Sequence, residues 1–150
     1  MIRKATMTDV KAIYELLHHF ADKGLLLGRS YSSLYDQIRD FQVALNEDGH
    51  LIGAGALHIS WDNLAEIRSL AVLEDEQGKG VGRLLVERCL EEAHIFGIKK
   101  VFALTYQPRF FSRLGFKPID KGELPHKVWS DCVNCPKFPD CNEEAMVWQG

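Results

Sequence analysis

Gln77-Gly78-Lys79-Gly80-Val81-Gly82 follows an apolar run, Ile67 to Val72, and opens a helical pattern that continues to about Phe96. Its glycines let the backbone approach a ligand closely and take conformations that side chains forbid. At the start of a helix, such a loop aims free N–H groups and the positive end of the helix dipole at an anion. The stretch reads as a diphosphate cradle or, more simply, as a tight strand-to-helix turn without a ligand. Two other phosphate motifs are excluded by spacing. A P-loop needs Lys and then Ser or Thr, and here Val81 and Gly82 follow Gly80. A dinucleotide fingerprint runs G-x-G-x-x-G, and here the order is G-x-G-x-G.

Outward from the loop, the pattern alternates. Ile2 to Ala5 reads as a first strand. Thr8 is placed to cap a helix whose Val10, Ile13, Leu16, Leu17 and Phe20 share a face, with Gly24 as a stop. Ser33 is placed to cap a second helix carrying Leu34, Ile38 and Phe41. Phe41 to Leu45 and Leu51 to Ile59 read as strands joined by a turn at Asn46-Glu47-Asp48-Gly49. A strand from about Ala65 to Val72 leads to the long helix, Gly80 to Phe96, which stops at Gly97. Lys100 to Thr105 is a strand, Pro108 opens a short helix ending at Leu114-Gly115, and Phe116 to Ile119 begins a last strand. The strand–helix–strand unit predicts parallel pairing and the earlier hairpin antiparallel pairing. The expected fold is therefore α/β, a mixed sheet flanked by helices.

The chain has 150 residues, an ordinary length for one domain, and carries a net charge of −3. That charge argues against nucleic acid as a partner. Apolar stretches are too short to span a bilayer, so no membrane association is expected. Met1-Ile2-Arg3-Lys4 is not followed by a signal-type apolar core. A cytoplasmic location with reduced thiols is expected.

The order Gln-x-x-Gly-x-Gly between a strand and a helix resembles the pyrophosphate motif of the GNAT superfamily of acetyl-CoA-dependent N-acetyltransferases. Val101-Phe102-Ala103-Leu104-Thr105 followed by Phe110-Phe111-Ser112-Arg113-Leu114-Gly115-Phe116 resembles that family's strand–helix–"LGF" segment. The resemblance implies the GNAT fold over residues 1–150, with a splayed sheet and acetyl-CoA as cosubstrate. Gln77, Gly78, Lys79, Gly80, Val81 and Gly82 would wrap the pyrophosphate. Leu70, Ala71, Val72 and Phe111 would line the cofactor, and the thioester would lie between the strands Ala65–Val72 and Val101–Thr105. Many members carry a Tyr proton donor where this chain has Phe111, which has no exchangeable proton. Tyr106, Thr105 and Ser112 are the substitutes at hand, and a thiol is acidic enough to leave without help.

Acetyl transfer to an amine requires a base, an oxyanion donor and alignment. Glu66 is the candidate base, because a charged residue inside a strand needs a reason. The simpler reading pairs it with Arg68 at a solvated edge. By alternation Glu66, Arg68 and Leu70 share one face, and Ile67, Ser69 and Ala71 the other. The resemblance assigns the oxyanion donor to the Val72 N–H.

Leu64 to Val72, Leu104 to Phe111 and Leu124-Pro125-His126-Lys127-Val128-Trp129 resemble the acetyltransferase portion of N-acetylglutamate synthases in their short, stand-alone form. That resemblance implies an amino-acid N-acetyltransferase acting on L-glutamate, the first step of arginine biosynthesis. The arginine-binding kinase-like domain of the longer enzymes, and feedback through it, are expected to be missing. Glutamate carries two carboxylates, which call for cationic anchors. Arg29, Arg68, Arg109 and Lys127 are the candidates, with Ser69 and Thr105 beside them. Glutamine and aspartate stay open as acceptors. So do another small amine, a protein N-terminus that would need an open groove, and a non-catalytic acetyl-CoA- or metal-sensing module. Exposed strand edges make a homodimer an option.

Cys89 falls on the apolar side of the long helix. Cys132, Cys135 and Cys141 form C-x2-C-x5-C with His126 upstream, a set that could bind zinc, stay as thiols or act in redox. The expected state is metal-free. Metal analysis of purified protein should find none, and the three thiols should titrate freely. One metal per chain, with a melting temperature lowered by a strong chelator, would establish zinc instead.

Overall fold

The computed structural model describes residues 1–124 and 143–150. His126, Lys127, Cys132, Cys135 and Cys141 lie outside the described residues. In chain order the elements are β1 (Ile2–Lys4), α1 (Val10–Ala21), α2 (Tyr31–Asp36), β2 (Phe41–Leu45), β3 (Leu51–Trp61), β4 (Leu64–Val72), α3 (Val81–Ile95), β5 (Lys100–Thr105), α4 (Pro108–Ser112), β6 (Lys117–Ile119) and β7 (Glu144–Gln149). The described strands form one seven-stranded mixed sheet in the order β1-β2-β3-β4-β5-β7-β6. Among the described residues, no helix is long and apolar enough to cross a membrane.

Helices cover both faces of the sheet. Val10, Ile13, Leu16, Leu17 and Phe20 of α1 and Leu34 of α2 pack on Phe41, Val43, Ala54, Ala56 and Ala71. On the other face, Val86, Cys89 and Ala93 of α3 pack on Leu57, Ala65, Ile67, Val101 and Ala103. Burial raises the Cys89 thiol to about 12, so it is a core residue rather than a thiolate.

Two irregularities of β4 set its relation to the neighbouring strands. Its parallel pairing with β5 covers only Leu64↔Lys100, Ala65↔Val101 and Glu66↔Phe102. Beyond Glu66 the strands part, as the expected splay requires. Then the register with β3 shifts between Ala56↔Arg68 and Ala54↔Ala71. Ser69 sits in this bulge at φ +52°, a left-handed conformation rare outside glycine. The bulge reverses the expected alternation: Leu70 packs under α3, while the Ser69 hydroxyl meets Arg29 across the opposite face.

Several local signals were displaced. Thr6, not Thr8, begins the first helical turn, and the Asp9 carboxylate accepts the Thr6 N–H at 2.7 Å. Ser30, not Ser33, caps α2: its hydroxyl accepts the Ser33 N–H at 3.1 Å. Phe41 belongs to β2 rather than to a helix. The strand begun at Lys117 is not the last, since β7 inserts between it and β5.

Asp9 anchors the start of α1. Its carboxylate accepts two bonds from the Arg3 guanidinium, at 2.8 and 3.0 Å, and is 8 % exposed. The Arg3 bond, assisted by the Thr6 N–H, holds its pKa below the usual carboxylate range. Asp9→Asn should therefore lower the unfolding free energy at pH 7 by about 1–3 kcal/mol. Because the folded pKa lies below the unfolded one, this contribution is complete above the ordinary carboxylate range and is lost as pH falls through the folded value. Chemical denaturation should show the gap between variant and wild type closing below about pH 4.

Candidate active site

The glycine loop meets α3 as its spacing predicts. Gly78 and Gly80 have φ of +80° and +88°, and Gly80 is the N-cap of the helix. The first helical bond, Leu84 N–H to Gly80 C=O at 3.1 Å, leaves the N–H groups of Val81, Gly82 and Arg83 directed out of the helix end. A Cβ added at Gly78 or Gly80 would meet no atom within 4 Å, so both face open space. The loop thus fits a diphosphate: it offers donors, a dipole end and room for close approach. Lys79 is exposed and stands 3.5 Å from Glu76. The Gln77 side chain donates to the Val72 carbonyl at 2.8 Å, which ties the loop to the end of β4.

The same carbonyl shows how Val72 is oriented. Leu73 N–H bonds to Ile52 C=O at 2.9 Å, which makes the Gly53/Val72 pair non-hydrogen-bonded. The Val72 N–H and C=O therefore point away from β3, into the space that β5 vacates. Phe111 is enclosed in the core at 4 % exposure, against Phe110 and Phe116. The ring that reaches the glycine loop is Phe110: a Cβ on Gly82 would lie 3.3 Å from it.

On the α1/α2 face, the charged residues gather. Glu66 is 8 % exposed, and Arg68 Nε donates to its Oε1 at 2.6 Å. The pair is mostly buried rather than a solvated edge pair. Arg29 comes from the loop before α2. It donates to Ser33 Oγ at 2.8 and 3.0 Å, to Ser69 Oγ at 3.3 Å and to Gln37 Oε1, and it stands over the Phe41 ring. Burial first, then the neighbouring Arg68, pull the Arg29 guanidinium below its ordinary value, while Asp40 and Glu66 pull it up. The loop is held by His18, whose Nε2 lies 3.1 Å from the Arg29 carbonyl oxygen. Gly28 permits this approach, since a Cβ there would be 3.0 Å from His18 Cε1.

Other candidates stand apart. Arg109 is exposed on α4. The Thr105 hydroxyl accepts the Gln107 N–H at 2.7 Å and so shapes the turn into α4. Tyr106 follows β5 at the mouth of the gap, partly exposed. Sequence reading missed His58 and Asp40, whose side chains meet at 2.9 Å beside Glu66.

Residues 10–116 match the Acetyltransferase (GNAT) family profile. The chain belongs to this acetyltransferase family. An uncharacterized N-acetyltransferase of Chlorobaculum tepidum is 44% identical to this GNAT enzyme over 146 residues, 97% of the chain and 94% of the relative. An amino-acid acetyltransferase of Mycobacterium tuberculosis is 36% identical over 133 residues, 87% of the chain and 76% of the relative. Among solved structures, Mycobacterium tuberculosis Rv2747 in complex with CoA superposes with a TM-score of 0.86 at 31% identity, covering 100% of this chain and 99% of that one. N-acetylglutamate synthase of Neisseria gonorrhoeae, complexed with coenzyme A and N-acetyl-glutamate, gives 0.89 at 28% identity, covering 99% of this chain and 34% of that one.

The cradle generates a direct prediction. Gly80→Glu forces a side chain into a left-handed position and adds negative charge at the anion site. Calorimetry should find acetyl-CoA binding abolished in the folded variant, and unchanged affinity would remove the loop from the site. Gly80→Ala, which meets only the backbone cost of about 1–2 kcal/mol, should weaken binding less.

Proposed function

We propose that this GNAT enzyme transfers the acetyl group of acetyl-CoA to the α-amino group of L-glutamate, and that residues 1–150 act as one N-acetyltransferase domain. The observation that carries the choice of acceptor is Arg29. Among the described residues, its desolvated guanidinium hydrogen-bonds to the neutral oxygens of Ser33, Ser69 and Gln37. It lies beside a second guanidinium at Arg68 and next to the buried carboxylate of Glu66. Such a cluster attracts a small anion whose amine can reach Glu66. The amino-acid acetyltransferase relatives support an amino-acid acceptor, and the N-acetylglutamate synthase structure, which holds N-acetyl-glutamate, supports an anionic side chain.

Acetyl-CoA supplies the acetyl group as a thioester, with its pyrophosphate on the glycine loop and its reacting end in the β4–β5 gap. Glu66 accepts the proton of the substrate ammonium and so releases a nucleophilic amine. Arg29 and Arg68 hold carboxylate and thereby aim the amine. The Val72 N–H, directed into the gap, donates to the carbonyl oxygen as negative charge develops there. Tyr106, which follows β5, is the candidate proton donor to the departing sulfur, and the second proton that the attacking nitrogen sheds restores it.

Two variants test this reading. Glu66→Gln should lower kcat by roughly 10²–10⁴-fold with little change in acetyl-CoA affinity. The loss should shrink as pH rises and free amine becomes available. Arg29→Ala should mainly raise the apparent KM for glutamate, costing about one to two decades in kcat/KM. Near-normal turnover of Glu66→Gln at neutral pH would reduce Glu66 to a structural residue. An unchanged KM in Arg29→Ala would remove the carboxylate anchor.

A further inference from the structure

A second acid–base pair adjoins the proposed base. His58 and Glu66 are direct cross-strand partners in the β3–β4 ladder. Their side chains therefore rise together from one face, with Cβ atoms about 4.5–5.5 Å apart. Asp40, which ends the short 3-10 turn before β2, places Oδ2 at 2.9 Å from His58 Nδ1. Ala54 and Ala56, the preceding residues of β3 on this face, are small and buried under α1. A histidine and its carboxylate thus take over where the apolar core ends and the charged cluster begins. The pair is neither sealed nor freely solvated, with side chains 23% and 27% exposed.

A carboxylate at Nδ1 fixes the imidazole tautomer: Nδ1 carries the hydrogen, and Nε2 keeps its lone pair. Among the described residues, Asp40 from the turn meets the ring and Glu66 of β4 is its cross-strand partner, with Arg68 bonded to Glu66 and Arg29 near both carboxylates. Arg68 Nε donates to Glu66 Oε1 at 2.6 Å and so holds the carboxylate beside the ring.

We propose that His58, oriented by Asp40, is the proton outlet of Glu66. The inference rests on Glu66 being the base. Glu66 takes one proton from the substrate ammonium and becomes a carboxylic acid. That acid passes the proton to His58 Nε2, which becomes an imidazolium paired with the Asp40 carboxylate. The imidazolium releases its Nε2 proton to water, to which the partly exposed His58 side chain is open, and Glu66 is again a carboxylate for the next turnover. Only N–H and O–H bonds change, and no electrons are gained or lost. His58 is thus a relay residue, and Asp40 positions it.

His58→Gln keeps a donor for Asp40 but cannot carry the proton. In dilute buffer its kcat should fall roughly tenfold or more, with acetyl-CoA affinity unchanged by calorimetry. Imidazole buffer of rising concentration should restore much of that loss while leaving wild type unaffected. Asp40→Asn, close in size to the native residue, should show a smaller loss. A His58→Gln variant with normal kcat would overturn the relay, and so would a loss that imidazole leaves untouched. If His58→Gln does not fold, Asp40→Asn decides: wild-type kcat in dilute buffer overturns the relay. Glu66→Gln, assayed in parallel, separates the two readings. An inactive Glu66→Gln beside a normal His58→Gln removes the relay alone, whereas an active Glu66→Gln removes the base itself.

Discussion

Backbone pairing between β4 and β5 stops at Glu66 and Phe102, although both strands run on, β4 to Val72 and β5 to Thr105. A sheet interrupted at its centre turns N–H and C=O groups toward a gap instead of a neighbour. Each strand keeps its other partner: β4 remains on β3, and β5 remains on β7 through Thr105↔Glu144. The gap is therefore tolerated without unravelling the sheet. Phe111 and Phe116 fill the core behind it, together with Ile67, Ala103 and Met146. The result is a slot with backbone donors on one wall, opening toward the N-terminus of α3. Gln77, bonded to the Val72 carbonyl, joins the slot to the glycine loop.

The bulge at Ser69 is the second constraint, and it acts on the acceptor side. By adding one residue to β4, it keeps Ile67 and Leu70 under α3 while directing Ser69 to Arg29. Regular alternation would have buried the Ser69 hydroxyl among apolar side chains and separated Arg29 from β4. The positive φ at Ser69 is a local strain of the kind that surrounding structure must hold in place. Here the supports are the β3 ladder and the Arg29 hydrogen bond. The end of α1 is fastened to the turn after β4 as well. Glu74 bonds to Lys23 and His19, and the Lys23 bond lowers its pKa to about 2.

Much of this was legible in the chain because it depends on local chemistry. Lys100–Thr105 has the bounds that its apolar run predicted, Gly97 has the positive φ of a helix stop, and Gly78 and Gly80 have those of a cradle. The mixed, splayed sheet of the acetyltransferase family followed from order and motif. The misplaced features are non-local or degenerate. Ser30, Ser32 and Ser33 can each cap a helix, and the chain uses Ser30. A bulge leaves no mark when no glycine accompanies it, so the faces of Ser69 and Leu70 were exchanged. His58 and Asp40 are eighteen residues apart and meet only because β2 and β3 pair. The anchors for a dicarboxylate were legible as a group of cations, yet the described residues bring only Arg29 and Arg68 together and leave Arg109 on α4.

The role proposed for the gap and the cation cluster is acetyl transfer from acetyl-CoA to a small dicarboxylic amino acid. The most direct measurement is thiol release from acetyl-CoA across a panel of free amino acids, simple amines and peptides, with the product identified by mass. The highest kcat/KM is expected for L-glutamate, with lower values for glutamine and aspartate and near-background rates for amines that lack a carboxylate. A peptide N-terminus or a carboxylate-free amine acetylated faster than glutamate would contradict that role.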